Sequence, residues 1–345
     1  MKLAIINSEK GFRGGERQSL YLARALKKRG LDVSLFLLKD SKLFLRSLEM
    51  ELDVKSFKNL LSMFFYLVFH GGEYDFLIPF TARAQNVAIF SKMFHRKKVI
   101  YTRRVNFKPS KLSLFLKYRF TDVVVAISEA IKDTLEDSGV KNVVVIPSFV
   151  IPRKLNVDRA LSFKRDFKGK KILGVIASFT EEKNPFLLLE IANELKKKRN
   201  DFVFFHFGDG NLRVEFERRL KGLKLEKHYK VFGHVEDVED FFAIFDIFLM
   251  VSKSEGLGSS VLDALLYGVP VISSNVGGLK ELVKGNGILC DLHNLSCFVD
   301  GISILLDDKN LRLKFIEKGK KVVEEKFSED VVVKKFVELL KRESG

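Results

Sequence analysis

Short apolar runs alternate with segments of helical period in the first half of the chain. A strand over residues 3–7, a helix that ends at Gly30 and a strand over 33–38 make one βαβ unit. In that helix Leu20 and Leu26 mark the buried face. The same pattern predicts further strands at 76–78, 99–101, 123–127 and 143–146.

The second half repeats this organisation. A strand over 171–176 leads through a loop into a helix, for which Asn184 is a suitable N-cap and Pro185 suits the first turn. Strands alternating with helices predict an α/β fold of two doubly wound, Rossmann-like domains that face a cleft. The later strands are predicted at 202–207, 230–232, 247–251 and 269–273.

The weakest pattern lies over residues 151–169, which are charged and include Pro152. We interpret this stretch as a linker. A chain of 345 residues suits two domains. The predicted domains are residues 1–155 and 165–328, and a last helix over 329–345 is expected to cross back to the first domain.

The most specific motif lies in the second domain. Glu255 precedes a glycine-rich turn that starts at Gly256, and a second turn, Gly277-Gly278, opens the next helix. Glycine loops that open helices at the carboxyl ends of strands bind anions, because backbone N–H groups point outward there. Asp263, eight residues after Glu255, adds a second acceptor for sugar hydroxyls. Phosphate donors beside hydroxyl acceptors suit a nucleotide-sugar.

This motif resembles the E-x7-E signature of the retaining glycosyltransferases of family 4, which have the GT-B fold. It departs from that signature at Asp263, where the family usually has Glu. The matching residues are Glu255, Gly256, Gly258, Ala264, Gly268, Pro270, Val271, Gly277, Gly278, Leu279 and Glu281.

The resemblance implies that a nucleoside diphosphate sugar binds in the second domain. Lys183 matches the lysine of the family's G-R-x-x-x-x-K segment and would face the diphosphate, but Ser178 stands where the family has arginine. Glu255 and Lys183 are the implied catalytic residues, and Asp263 would hold the ribose. A capping box with Ser260 remains the alternative for Asp263. The other implied donor-binding residues are Gly256, Leu257, Gly258, Ser259, Ser260, Ser178, Gly208 and His234.

The resemblance extends to the first domain. Residues 13–17, R-G-G-E-R, are similar to the family's G-G-x-E-R loop. Arginine stands where many members have a cleft histidine, so a histidine-assisted mechanism is not expected. The residues implied on the acceptor side are Gly14, Gly15, Arg17, Arg103 and Arg104.

Positive charge is concentrated in the first half. Residues 1–150 hold 26 Lys and Arg against 14 Asp and Glu, out of a net charge of +16 for the chain. Residues 92–119 hold ten basic residues and no acidic one. This patch suits a phosphorylated glycolipid or saccharide acceptor and an anionic membrane surface. A solvated lysine-rich face is the other interpretation. No nucleic acid is expected, since no motif for it is present.

The two cysteines, Cys290 and Cys297, lie seven residues apart. They are expected to be buried thiols of a reducing compartment, not a disulfide or a zinc site. The N-terminus turns polar too soon for a signal peptide, and the apolar run 60–69 is too short to span a bilayer. We expect a cytoplasmic protein, at most peripheral on the inner face of the membrane.

An apolar stripe precedes the basic patch. Its spacing is helical, and burial in the core is favoured over contact with a membrane. The stripe consists of Phe57, Leu60, Leu61, Phe64, Phe65 and Val68.

These observations predict a retaining glycosyltransferase that acts on a phosphorylated glycolipid or an envelope polysaccharide precursor, such as a lipopolysaccharide core. No cofactor and no obligatory metal are expected, because no D-x-D motif precedes a loop. The main alternative is a catalytically silent GT-B scaffold that binds a nucleotide or a partner. A phosphorylase or a nucleotide-sugar epimerase is a further alternative, and no motif for a cofactor-bearing lysine supports the phosphorylase.

Overall fold

The computed structural model describes residues 1–12 and 14–345, and the chain divides into two compact units. The first unit comprises Met1–Ile151 and Phe327–Gly345, and the second comprises Pro152–Lys326. Each is built on its own parallel sheet with helices in the crossover connections. The prediction of two doubly wound, Rossmann-like domains is therefore confirmed.

Seven parallel strands form the sheet of the first unit: β1 (Lys2–Asn7), β2 (Asp32–Leu38), β3 (Asp53–Phe57), β4 (Phe76–Pro79), β5 (Lys98–Arg103), β6 (Val123–Ala126) and β7 (Val143–Val145). Their order is β3-β2-β1-β4-β5-β6-β7. The order reverses between β1 and β4, so the loops that follow these two strands diverge there. Strand β3 was not predicted, because it is a half-buried edge strand without a clear apolar run.

Six parallel strands form the sheet of the second unit: β8 (Lys171–Ile176), β9 (Phe202–Phe207), β10 (Tyr229–Gly233), β11 (Ile247–Met250), β12 (Val271–Ser274) and β13 (Ile288–Cys290). Their order is β10-β9-β8-β11-β12-β13, with the reversal between β8 and β11. In open parallel sheets, ligands bind beside the carboxyl ends of the strands at such a reversal.

The helices are α1 (Gly14–Lys28), α2 (Lys42–Glu49), α3 (Leu60–His70), α4 (Ala82–His95), α5 (Lys111–Leu116), α6 (Glu129–Glu136), α7 (Val157–Lys164), α8 (Pro185–Lys198), α9 (Arg213–Gly222), α10 (Ser259–Leu266), α11 (Leu279–Leu282), α12 (Leu295–Asp307), α13 (Lys309–Val322) and α14 (Glu329–Ser344). Helix α7 lies inside the stretch predicted as a linker. Among the described residues, no helix combines the length and the apolar character needed to cross a membrane.

Helix α14 packs on the first unit, although it follows the second in sequence. Val332, Phe336 and Leu340 repeat at four-residue spacing and join the core that also contains α1. At its N-terminus, Glu329 lies 3.6 Å from the guanidinium of Arg29. The apolar stripe and this ion pair fix the last helix to the first sheet.

The prediction of two free thiols is wrong, since Cys290 and Cys297 form a disulfide. Strand β13 ends at Cys290, and Cys297 lies in the first turn of α12, where its N–H donates to the Asn294 side chain. The short loop folds this turn back onto the strand, so the two Cα atoms are 5.7 Å apart. The spacing of the cysteines in the sequence does not show that the chain folds back in this way, so the disulfide was not predicted.

The prediction that the apolar stripe is core holds only for one side of α3. Phe57 is buried, and Leu60 and Phe64 pack partly against the core beneath them. Leu61 and Phe65 point the other way and are exposed. The core interpretation is therefore wrong for these two residues.

Candidate functional site

The predicted donor-binding residues lie in loops at one edge of the second sheet. The loop after β8 carries Ser178 and Lys183, and the loop after β11 carries Glu255. Strands β8 and β11 are hydrogen-bonded neighbours. Side chains 72 residues apart in sequence are therefore brought together at the point where the strand order reverses.

An ion pair between Lys183 and Glu255 lies at the centre of this edge. The Nζ atom of Lys183 is 2.7 Å from Oε1 of Glu255, which is only 9% exposed, and 3.3 Å from Oε1 of Glu182. The Ser252 hydroxyl donates to the same Glu255 oxygen at 2.9 Å. Burial lowers the pKa of Lys183, but the charges and hydrogen bonds of Glu255 and Glu182 together outweigh burial and raise that pKa above its ordinary value. Lys183 is therefore a charged, partly desolvated cation.

The local chain geometry positions Lys183. It ends a 3-10 turn, Glu181–Lys183, and Asn184 adopts the left-handed conformation before Pro185 starts α8. Asn184 is the N-cap residue of α8, as predicted, but among the described residues its side chain makes no capping hydrogen bond. The N–H of Lys253 donates to the Glu182 carbonyl at 2.7 Å, which ties the loop after β11 to this turn.

The two glycine turns pack backbone against backbone. A Cβ on Gly278 would lie 2.4 Å from the Gly256 carbonyl oxygen, and the N–H of Gly278 donates to the Glu255 carbonyl at 3.2 Å. Gly258 has a φ of +100°, and a Cβ there would lie 2.5 Å from the Leu279 side chain. Only glycine fits these contacts, and together they fix the backbone that carries Glu255.

Helix α10 begins at Ser259, directly after this turn, with Gly258 as its N-cap. Within the described part of the chain, no side chain caps this helix end. Ser260 and Asp263 therefore lie inside the helix, and the capping box proposed as the alternative for Asp263 is excluded. Asp263 is 7% exposed. Burial chiefly raises the pKa of Tyr267, one turn later, and the negative charge of Asp263 adds to that effect.

The remaining predicted donor residues lie after β8, β9 and β10. Ser178 is within 3.3 Å of the Thr180 hydroxyl, and it supplies no cation. Gly208 has a φ of +148°, and a Cβ there would overlap the Ala177 carbonyl oxygen. His234 is exposed at the end of β10. The structure thus brings Gly208 to the loop of Ser178 and leaves His234 at the rim.

His206 is fully buried in strand β9 and bonds to the loop that carries Ser178. This role was not predicted from the sequence. The His206 Nε2 donates to the Ala177 carbonyl at 3.0 Å, and its Nδ1 accepts from the Tyr229 hydroxyl at 2.8 Å. Burial lowers the pKa of His206 to about 4, against the effect of the Ala177 bond. Its position inside the apolar run of β9 gave no sign of this role.

The first unit brings Arg104 to the glycines at the start of α1. The Arg104 guanidinium donates to the Gly14 carbonyl at 3.2 Å and to the Ser148 hydroxyl at 3.0 Å, and its Nε would lie 3.4 Å from a Cβ on Gly15. Burial lowers the pKa of Arg104 to about 10, while the charge of Glu16 acts to raise it.

Arg17 and Arg103 are placed differently from Arg104. Arg17 lies over the Tyr21 ring, 5.9 Å from its centroid, while Arg13 of the predicted loop is outside the described residues. Arg103 is 5% exposed and donates to the Val105 carbonyl at 3.1 Å and the Tyr118 hydroxyl at 2.7 Å. Arg103 was predicted on the acceptor side, but its guanidinium is bonded inside the first unit, where it anchors the segment after β5.

Each of the two units matches a protein-family model. Residues 158–322 match the model for glycosyl transferases group 1, and residues 12–154 match the model for glycosyltransferase family 4. The chain belongs to glycosyltransferase family 4. Its paired Lys183 and Glu255 thus lie in the half that matches the group 1 model.

Curated relatives of this family member are named as transferases, one for poly(ribitol-phosphate) and one for lipopolysaccharide core biosynthesis. The poly(ribitol-phosphate) alpha-N-acetylglucosaminyltransferase of Staphylococcus aureus is 24% identical over 237 residues, which are 68% of this chain and 46% of the relative. The lipopolysaccharide core biosynthesis glycosyltransferase LpsE of Rhizobium meliloti is 26% identical over 271 residues, 77% of this chain and 75% of the relative. The match thus spans about half the length of the first relative.

Solved structures share the fold of this family member. Anabaena Alr3699/HepE, in complex with UDP and glucose, superposes with a TM-score of 0.87 at 18% identity, covering 99% of this chain and 100% of that one. A glycosyltransferase from Rickettsia africae ESF-5 gives a TM-score of 0.81 at 20% identity, covering 99% and 98%. At these identities the likeness concerns the fold alone.

Proposed function

We propose that this family 4 member is a retaining glycosyltransferase. It transfers a sugar from a UDP-sugar to a hydroxyl of a phosphorylated glycolipid or an envelope polysaccharide precursor. The observation that carries the proposal is the Lys183–Glu255 ion pair, with Nζ and Oε1 2.7 Å apart at the reversal point of the second sheet. It offers a cation for a diphosphate beside a carboxylate for sugar hydroxyls.

Transfer breaks the bond between the anomeric carbon and the diphosphate oxygen, so negative charge develops on the diphosphate. Lys183 exchanges its contact with Glu255 for this oxygen, and the amide groups that start α10 face the same charge. Glu255, freed from the lysine, accepts hydrogen bonds from the donor sugar. Asp263, four residues into α10, holds the ribose.

UDP is the proposed leaving group, because HepE was solved with UDP and with UDP-glucose. Ser178 stands where the family has a second cation, an arginine, and Lys253 is the proposed substitute for it. Its Nζ is 3.3 Å from Oε2 of Glu181, and its backbone is bonded to the turn that carries Lys183. The glycine loop 256–258, Ser259, Ser260, Gly208 and His234 complete the proposed donor site.

The proposed acceptor side is the start of α1. Arg104 is buried against Gly14 and Gly15 and keeps a positive charge there. A phosphorylated acceptor complements this charge. The names of LpsE and of the poly(ribitol-phosphate) transferase, which concern a lipopolysaccharide core and a phosphate-containing polymer, support this choice.

Retention is proposed to occur by attack of the acceptor hydroxyl on the face that the leaving group vacates, without a protein nucleophile. This part rests on the family. We further propose that no divalent metal is obligatory, because Lys183 and the start of α10 supply the positive charge that a metal would provide at the diphosphate.

The test is incubation with UDP-glucose, UDP-galactose and UDP-N-acetylglucosamine and a detergent-solubilised, phosphorylated glycolipid, in EDTA. We expect NMR to detect one new glycosidic linkage with the α configuration of the donor. A β linkage would contradict retention, and a strict need for added magnesium would contradict metal independence. UDP binding without transfer of any of the three sugars would favour the silent scaffold, with Ser178 as its cause.

A further inference from the structure

The outer side of the helical layer over one face of the first sheet is apolar. In α3, Met63 and Leu67 point into the core, whereas Phe65 and Phe69 lie on the opposite side of the helix. Phe69 is 78% exposed. Isolated exposed apolar residues are ordinary, but a contiguous group marks an interaction surface.

Ring contacts join α3 to α4. The ring of Phe64 is 5.4 Å from that of Phe65 and 6.4 Å from that of Phe94, measured between centroids. Phe94 is exposed, and Met93 beside it is 77% exposed. The apolar surface therefore continues from α3 onto α4.

The surface continues from α4 onto α5 and the 3-10 turn Tyr118–Phe120. Nζ of Lys92 donates to the Phe120 carbonyl at 3.3 Å, which holds this turn against α4. Phe115 and Phe120 are both exposed. We call the six exposed residues Phe65, Phe69, Met93, Phe94, Phe115 and Phe120 the aromatic face.

Exposed basic residues lie on the elements that form the aromatic face, at the end of α4, on α5 and in the 3-10 turn. From residue 76 to residue 121 the sequence contains 11 Lys and Arg and no Asp or Glu. Arg96, Lys111 and Arg119 are exposed, and none of them forms an ion pair within the described parts of the chain. Arg119 lies 5.8 Å from the centroid of the Phe115 ring, so charge and aromatic surface are interleaved.

We propose that the aromatic face docks on an anionic lipid surface, with its rings in the interface and the Lys and Arg of the same elements at the lipid headgroups. This arrangement matches the two contributions to peripheral membrane binding, apolar burial and attraction to anionic lipid. A second copy of the chain is the weaker occupant, because a two-fold contact would bring the same basic residues against each other. The proposal does not depend on the transferase activity.

The test is co-sedimentation of the full chain with vesicles of phosphatidylcholine alone or with about 30% phosphatidylglycerol. The vesicles carry no glycan acceptor, so the result is independent of the proposed function. We expect binding to the anionic vesicles, reduced strongly in about 1 M salt, where the Debye length falls to about 3 Å.

Two triple variants separate the contributions. Phe69→Ser/Met93→Ser/Phe115→Ser and Arg96→Gln/Lys111→Gln/Arg119→Gln should each weaken binding to anionic vesicles at least roughly tenfold. All six side chains are exposed, so the melting temperature should stay near that of the native protein. The matched control is Val214→Ser/Ile304→Ser/Leu313→Ser, which removes three exposed apolar residues from the second unit and should leave binding unchanged.

Three results would overturn the proposal. The first is failure of the native protein to bind anionic vesicles. The second is equal loss in the control variant. The third is a dimer in sedimentation equilibrium that the Phe69→Ser/Met93→Ser/Phe115→Ser variant converts to monomer, which would assign the face to a second copy.

Discussion

The two units hold their strand-end loops in different ways. In the second, two loops are joined by the Lys183–Glu255 ion pair, and Ser252 adds a hydrogen bond to the same carboxylate. In the first, the start of α1 is held by Arg104, whose guanidinium binds a backbone carbonyl and the Ser148 hydroxyl. A cation is thus hydrogen-bonded to a carboxylate in the second unit, whereas in the first unit a cation is hydrogen-bonded to neutral acceptors.

Under the proposed function, this difference separates a donor site for one defined ligand from an acceptor site for a variable ligand. In the proposed mechanism, a substrate phosphate replaces Glu255 at Lys183, and the displaced carboxylate accepts hydrogen bonds from sugar hydroxyls. Arg104 donates its hydrogen bonds to neutral acceptors, although the charge of Glu16 also acts on it. We therefore expect changes at the Lys183–Glu255 pair to affect UDP binding or turnover, and changes at Arg104 to affect acceptor affinity.

The largest expected effect is that of Glu255→Gln. The variant keeps the shape of the side chain but loses the charge that holds Lys183, so kcat should fall roughly 100-fold. The Kd for UDP should stay equal or decrease, because Lys183 no longer has a competing partner. Steady-state kinetics and calorimetry measure the two quantities. A loss of UDP affinity that parallels the loss of kcat would contradict the division of roles.

The second expected effect concerns acid stability and lies only in the second unit. The pKa of His206 is lowered from 6.5 to about 4 by burial. Between these pH values the unfolded chain binds a proton that the folded chain does not, so the free energy of unfolding falls as the pH falls, by roughly 3 kcal/mol. His206→Gln should remove this part of the pH dependence in urea unfolding curves. Parallel curves for the two proteins from pH 7 to pH 4 would count against it.

A third effect comes from the disulfide of the second unit. Cys297→Ser should lower the free energy of unfolding by roughly 2 kcal/mol, because the short loop to Cys290 is no longer closed in the unfolded chain. Thermal melts with and without reductant measure this loss. In reductant, the native protein should have the same melting temperature as the variant. A native melting temperature that reductant does not change would contradict the presence of the Cys290–Cys297 disulfide.

The smallest expected effect belongs to the first unit. Arg104→Gln should raise the KM for a phosphorylated acceptor roughly tenfold and leave the KM for the UDP-sugar unchanged. Arg83→Gln is the matched control, because Arg83 pairs with Glu9 at 3.1 Å on the surface of the same unit. An equal rise in the KM for both substrates would contradict an acceptor-side role.

Much of the fold could be predicted because buried strands appear in the sequence as continuous apolar runs. The apolar runs of β1, β8 and β9 were located to within a residue, since both faces of a central parallel strand are buried. Edge strand β3 was missed because only part of it is buried. The sequence predicts a linker where helix α7 lies, because the buried face of this helix consists of little more than Ala160.

The site could be predicted only as far as its residues form local motifs. Glycine turns are local, so the conformation of Gly258 follows from its neighbours. The bond from Ser252 to Glu255 and the inward turn of Arg103 depend on packing that no motif describes. The disulfide likewise depends on how β13 meets α12.

The most direct test of Lys183 as the cation that binds the diphosphate is calorimetric titration of UDP into the native protein and into Lys183→Ala, both in EDTA. Lys198→Ala is the control, because Lys198 forms an exposed ion pair with Asp300 at 2.7 Å in the same unit. We predict binding by the native protein and the control, and a Kd raised at least roughly tenfold in Lys183→Ala, as expected for loss of a charge-assisted contact. Equal UDP affinity in all three proteins would contradict the claim that Lys183 is the diphosphate cation.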